Sequence, residues 1–283
     1  MEKTKFIPFS IEIQGRLVEF RRPAVMGILN ITDDSFYDGG RHNRPDTMLE
    51  HAHRLISEGA DIIDIGASSS RPGAVLLPPD EEARRLDKAL RLLRKELPEA
   101  IVSVDTCYSL PARTAVEAGA DIVNDIGGGM LDAQMFDTVA ALQVPYIMMH
   151  GGKEHIERSE VADKEDLIDR ITRFFSERLD KLYRLGVKDV WLDPGFGFGK
   201  GTDGDHELLM RLDELTTLFR EPTLVGLSRK SMIYRPLGIT PDDALAGTIA
   251  LDALALERGA RILRVHDPRP ALETIHLLYP ETC

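Results

Sequence analysis

Eight short apolar runs, separated by amphipathic stretches of helical length, constrain this 283-residue chain more than any other feature. The runs are AVMGILN (24–30), ADIIDIG (60–66), AIVSVDT (100–106), DIVNDIG (121–127), PYIMMH (145–150), VWLDPG (190–195), TLVGLS (223–228) and RILRVHD (261–267). Short, Val/Ile/Leu-rich and barely alternating, they read as strands of a parallel sheet buried on both faces. The stretches between them, 44–58, 79–96, 110–117, 133–142, 163–185, 206–219, 241–257 and 271–278, read as helices. Several stop at a glycine, Gly59, Gly119, Gly186 or Gly259, which closes a helix in the left-handed conformation just before the next strand. Eight β–α units predict an α/β fold of the (β/α)8 TIM-barrel type, one domain over residues 1–283; a doubly wound sheet usually has fewer strands. FIPFSIEI and RLVEF, joined around Gln14-Gly15, predict an N-terminal β-hairpin (1–20) that caps the barrel's N-terminal end.

The glycine-rich stretch VWLDPGFGFGKG (190–201) invites a phosphate-loop reading, which fails. A G-x-x-x-x-G-K-[ST] loop needs glycine where Pro194 stands and a hydroxyl residue where Gly201 stands. A net charge of −12 argues against nucleic acid or an anionic membrane as partner, though not against a small anionic ligand held by local cations. Cys107 and Cys283 are the only cysteines and have no metal-type spacing, which suits a reducing compartment. The opening MEKTKFIPFS lacks a signal-peptide core and no run approaches transmembrane length, so a cytoplasmic location is expected.

In a barrel of this type the ligand site lies at the C-terminal ends of the strands. Seven of the eight runs end there in polar residues: Asn30, Asp105, Asn124 with Asp125, His150, Asp193, Ser228-Arg229-Lys230, and Arg264 with His266 and Asp267. Buried polar groups are costly unless paired, so such a ring implies a polar ligand in the barrel mouth. Asp105, Asn124 and Asp193 suit the hydrogen-bonding edge of a flat heterocycle; Lys230, Arg264 and His266 supply positive charge. Two long βα loops, ITDDSFYDGGRHN and ASSSRPGAVLLPPD, are read as covers that organise around substrate.

With these stretches in order, MGILNITDDSFYDGG, GADIIDIGASSSRPGA, VSVDT, AGADIVNDI, LDPGFGFGK, LVGLSRKSMI, LAGT and RVHD, the chain resembles the dihydropteroate synthase family. The resemblance implies condensation of 6-hydroxymethyl-7,8-dihydropterin diphosphate with p-aminobenzoate, releasing pyrophosphate with Mg2+ assistance. It assigns the pterin to Asp105, Asn124, Asp193 and Lys230, with Arg264 stacking and Met149 and Phe198 as apolar neighbours. Asn30, Arg71, Arg264 and His266 match groups that handle the diphosphate, and Asn30 matches the Mg2+ ligand. Ser228 and Lys230 fall where p-aminobenzoate is met. Asp34 joins Asn30, Arg71, Lys230, Arg264 and His266 in the expected catalytic set, and Ser70 the substrate-binding set. Lys200 is read as structural, and a homodimer is implied.

The chain departs from the family in both loops. Asp33 stands where a proline is usual, Ser68 where the family has the glutamate of E-S-T-R-P-G, and Ser70 in place of threonine. Gly151-Gly152 follows Met149-His150 where M-H-M-x-G is favoured, and Gly201 replaces a threonine. Asp33 is expected to alter the balance between p-aminobenzoate and sulfonamide analogues. A pterin-binding methyltransferase-like domain and a non-catalytic pterin-binding paralogue are the alternatives.

Overall fold

The computed structural model describes residues 6–31, 46–67, 76–151 and 166–282. The chain begins with a hairpin, β1 (Phe9–Ile13) and β2 (Arg16–Phe20), paired antiparallel. Gln14 and Gly15, both at positive φ, make the two-residue turn that matches strand twist. There follow β3 (Ala24–Asn30), α1 (Asp46–Ser57), β4 (Ile62–Gly66), α2 (Pro79–Glu96), β5 (Ile101–Asp105), α3 (Ser109–Glu117), β6 (Ile122–Asp125), α4 (Met135–Leu142) and β7 (Tyr146–Met149). The second half contributes α5 (Leu167–Arg184), β8 (Val190–Asp193), α6 (Gly201–Met210), α7 (Leu212–Leu218), β9 (Leu224–Val225), α8 (Ser231–Leu237), α9 (Leu245–Glu257), β10 (Ile262–Val265) and α10 (Pro268–Leu278).

Strands β3 to β10 form one eight-stranded parallel sheet, β8-β7-β6-β5-β4-β3-β10-β9. A parallel bridge between Leu192 of β8 and Thr223, just before β9, brings its two ends together. The core divides accordingly. One apolar layer lies between strands and helices and includes Leu55, Leu86, Val104, Tyr146 and Phe175. The other fills the lower barrel with Met26, Ile62, Ile122, Ile147, Trp191 and Leu224. The hairpin closes that lower end: Phe9 and Phe20 meet Trp191 edge-on, with ring centres 5.7 and 6.2 Å apart. Glu12 N–H donates to Asp189 and the Gln14 amide to Asp121, residues that precede β8 and β6. The barrel and its cap are thus as the sequence pattern predicts.

Some boundaries differ for local reasons. The expected helix 206–219 starts at Gly201 and breaks at Arg211, whose guanidinium gathers Glu207, Glu214 and Asp166. The stretch 241–257 opens as a 3-10 turn before α9. Helix α8 was not anticipated: it is only seven residues long, contains Pro236 and stops at Gly238.

Candidate active site at the mouth of the barrel

Four side chains from four strands form one hydrogen-bonded set at the C-terminal end of the barrel. Arg264 of β10 donates from Nε to Asp64 of β4 at 2.6 Å and from Nη2 to Asp105 of β5 at 2.8 Å. Asn124 of β6 donates from Nδ2 to the same Asp64 oxygen at 3.0 Å. Strand register explains the grouping. Gly66, Asp105 and Asn124 stand side by side on neighbouring strands, and Asp64 lies one inward-facing layer deeper. Gly66 matters by its lack of a side chain: a Cβ there would lie 3.3 Å from that of Asp105.

Met149 and Asp193 are register partners on β7 and β8. Asp193 accepts the Gly195 N–H at 2.7 Å, which ties the strand end to the glycine loop that follows. Within that loop the Lys230 ammonium donates to the Phe196 carbonyl and lies 4.8 Å from the centre of the Phe198 ring. Lys200 points elsewhere. Its ammonium binds the carbonyls of Gly195 (2.8 Å), His150 (3.1 Å) and Phe198 (3.4 Å), and so braces the loop. At the rim, the Ser228 hydroxyl meets His266 Nδ1 at 2.9 Å and accepts the His266 backbone N–H at 3.2 Å. Asn30 ends β3 as an exposed side chain beside Gly66.

Three members of the expected polar ring do not face the mouth. Asp125, next after Asn124, points to the outer layer, where it accepts from Tyr146 Oη, Gly127 N–H and Gly129 N–H at 2.6–2.7 Å. His150 follows Met149 and likewise turns outward, edge-on to Phe174 and Phe175. Side chains alternate faces along a strand, so two consecutive polar residues cannot both enter the barrel. Asp267 is engaged by Arg229 through two of its three guanidinium nitrogens, Nε and Nη2, at 2.9–3.2 Å. Arg229 itself adopts φ +58°, and this clamp holds the turn between Ser228 and Lys230.

The sequence matches the family profile described as "Pterin binding enzyme" over residues 26–266. It is 37% identical over 268 residues to a dihydropteroate synthase of Streptococcus pyogenes, covering 93% of this chain and 97% of the relative. A Xanthomonas albilineans dihydropteroate synthase in complex with 7,8-dihydropteroate superimposes with a TM-score of 0.83 at 34% identity, over 97% of this chain and 99% of that one. The same bacterium's enzyme with 4-aminobenzoic acid gives a TM-score of 0.86 at 36% identity, over 97% and 98%. The chain belongs to the dihydropteroate synthase family. Its members carry out pterin-methyl transfer, and the chain is an enzyme of that kind. Asp34, Ser70 and Arg71, three of the expected site residues, lie outside the described residues, as do Asp33 and Ser68.

The electrostatics of this dihydropteroate synthase-type mouth are those of an acid-rich well around one guanidinium. Burial raises the Asp105 carboxyl, Arg264 opposes the rise, and Asp64, Asp125 and Asp193 add to it. Burial also raises Asp193, against the pull of Lys230. Lys230 is pushed down to about 8 by burial, with Asp193 resisting. For Arg264 burial works in the opposite sense, yet Asp64 and Asp105 hold it above its ordinary value and keep it charged. A ligand that brings N–H donors would stabilise the ionised form of these carboxyls, which burial disfavours. Asp64 is the member of the set that sequence reading missed. The signal was present: a carboxylate inside the apolar run IIDIG needs a buried partner, and RILRVHD offers an arginine inside another run.

Proposed function

We propose that this chain condenses 6-hydroxymethyl-7,8-dihydropterin diphosphate with p-aminobenzoate to give 7,8-dihydropteroate and pyrophosphate. The Asp64–Asp105–Asn124–Arg264 set carries the reading, because it presents carboxylate acceptors and one amide in a buried well, with Asp64 one layer beneath Asp105 and Asn124. An amino group and adjacent ring N–H of a pterin would donate to Asp105 and Asp193. The remaining amide valences of Asn124 and the Lys230 ammonium suit the ring's other nitrogens and its carbonyl. Met149 and Phe198 are assigned as the ring's apolar neighbours, and Arg264 as the group that stacks on it.

The chemistry asks little of a base. The aromatic amine is unprotonated near neutral pH, and the electron-rich pterin can delocalise positive charge at its exocyclic methylene. Ionisation of the C–O bond therefore precedes amine attack. What the protein supplies is stabilisation of the departing polyanion, a role we assign to Arg71, Arg264 and His266, with Asp34 assigned to the same catalytic set; one such donor is worth about 3 kcal/mol of barrier. Ser228 and Lys230 are assigned to p-aminobenzoate, and Ser70 to the substrate in the second loop. Asn30 suits Mg2+. Among the described residues no group of three His, Cys, Asp or Glu could hold a metal ion, whereas the exposed amide oxygen of Asn30 would offer one ligand to a hard cation drawn to the diphosphate. When bound, that ion neutralises charge on the leaving group.

A homodimer is part of the same reading. Helix α9 (LAGTIALDALALE) is apolar around most of its circumference, and Leu245, Ile249 and Ala253 leave one side of it only partly covered. Leu237 on the adjoining α8 is 61% exposed. No described helix is long and apolar enough to cross a membrane, and the cytoplasm, where the free buried thiol of Cys107 stays reduced, is the compartment we assign. The test is a coupled pyrophosphate-release assay with and without p-aminobenzoate. Release that depends on the amine, with dihydropteroate formed in equal amount, supports the reading. Binding without release, or methyl transfer instead, overturns it.

A further inference from the structure

Asp64 is built unlike a substrate contact. Its side chain is 0% exposed and lies a layer beneath Asp105 and Asn124. A single oxygen, Oδ2, accepts both Arg264 Nε and Asn124 Nδ2, while Oδ1 has no partner among the described residues. Two consequences follow from these bonds alone. A carboxylate accepts only, so the Asn124 amide must turn its NH2 toward Asp64 and its carbonyl oxygen away. Arg264 is fixed at two points, Nε on Asp64 and Nη2 on Asp105, which sets the plane of its guanidinium. Once a ligand's donors claim Asp105, the Asp64 bond is the anchor that remains.

We propose that Asp64 is a positioning residue that orients the guanidinium of Arg264 and the amide of Asn124 before the pterin ring arrives; this rests on the pterin reading given above. The full chain is assayed by calorimetry with 6-hydroxymethyl-7,8-dihydropterin. Asp64→Asn keeps one oxygen where Oδ2 stands and turns its NH2 to the unpartnered side, so both bonds survive without the charge. Asp64→Ala removes both. The expected order of affinity is wild type, then Asn by a few-fold, then Ala by about 30-fold or more, the scale of a truncated buried charge pair. KM for p-aminobenzoate stays within about twofold, a split that general loosening of the fold would not give.

A double-mutant cycle separates action through Arg264 from a local packing effect. In an Arg264→Met background, Asp64→Ala is expected to cost no more than about fivefold. The double variant also contains no stranded buried cation, so it keeps the test open where Asp64→Ala alone does not fold. Affinity of Asp64→Ala within twofold of wild type, or the full loss repeated in the Arg264→Met background, overturns the inference. Those outcomes are distinct from failure of the functional reading, in which wild type itself neither binds the pterin nor releases pyrophosphate and the inference falls with it.

Discussion

Replacing Glu82 by glutamine should stabilise the protein several-fold more at pH 8 than at pH 5. Glu82 lies in the first turns of α2, behind the end of β5, and is only 2% exposed. Burial raises its carboxyl from 4.5 to about 7; the Thr106 hydroxyl offsets part of that rise, and the nearby charge of Asp105 adds to it. The folded chain therefore holds this proton over a pH range in which the unfolded chain has released it. Stability attributable to Glu82 falls as pH rises from about 4.5 to about 7 and is level above that, the sign required when the native state binds the extra proton. A gap of this size is worth about 3 kcal/mol. Glutamine keeps an acceptor for Thr106 and carries no charge to desolvate, so Glu82→Gln should gain about 3 kcal/mol at pH 8 and about 0.8 kcal/mol at pH 5. Urea unfolding of both proteins at the two pH values measures the difference directly, because groups common to both cancel. An equal gap at pH 5 and pH 8, or a variant less stable than wild type at pH 8, would refute the reasoning.

Other outcomes follow from the same geometry. Lys230 titrates at about 8 in the unliganded protein, so kcat/KM for the pterin substrate should fall as pH rises through 8 and the ammonium is lost. Lys230→Met should abolish that limb and lower kcat/KM about a hundredfold; a wild-type profile flat from pH 7 to 9.5 would exclude this role. Gly195→Ala should cost more than tenfold in activity and lower the melting temperature, since a Cβ there would sit 2.0 Å from the His150 carbonyl oxygen at φ +73°; retained activity in a soluble variant would show that the glycine loop can shift. His150→Phe should leave kcat within about twofold, because burial pushes this imidazole down to about 2 and it packs on Phe174 and Phe175. A large loss of kcat would return His150 to the chemistry. Sulfonamide inhibition of Asp33→Pro should differ from wild type, and identical inhibition constants would remove the idea that Asp33 tunes the first loop.

The barrel was legible because it depends on a coarse pattern that eight apolar runs repeat and four helix-ending glycines punctuate. The site was legible one face at a time. Asp105, Asn124, Met149 and Asp193 lie at the ends of their strands, at the barrel mouth, but the sequence shows Asp125 and His150 beside them with equal prominence. Which residue of each pair enters the barrel depends on register, and register is set by the neighbouring strand rather than by the residue itself. Asp64 shows the opposite failure. It looked like part of an apolar run because its partners, Asn124 and Arg264, are 60 and 200 positions away along the chain. A buried carboxylate in a strand predicts that a partner exists without saying where it is. Arg229 and Asp267 stand in the sequence as members of the strand-end polar ring, yet they pair with each other and fix the turn that carries Ser228 and Lys230. In this mouth, then, residue type told which chemistry is present, while three-dimensional pairing decided which of those groups a ligand can still claim.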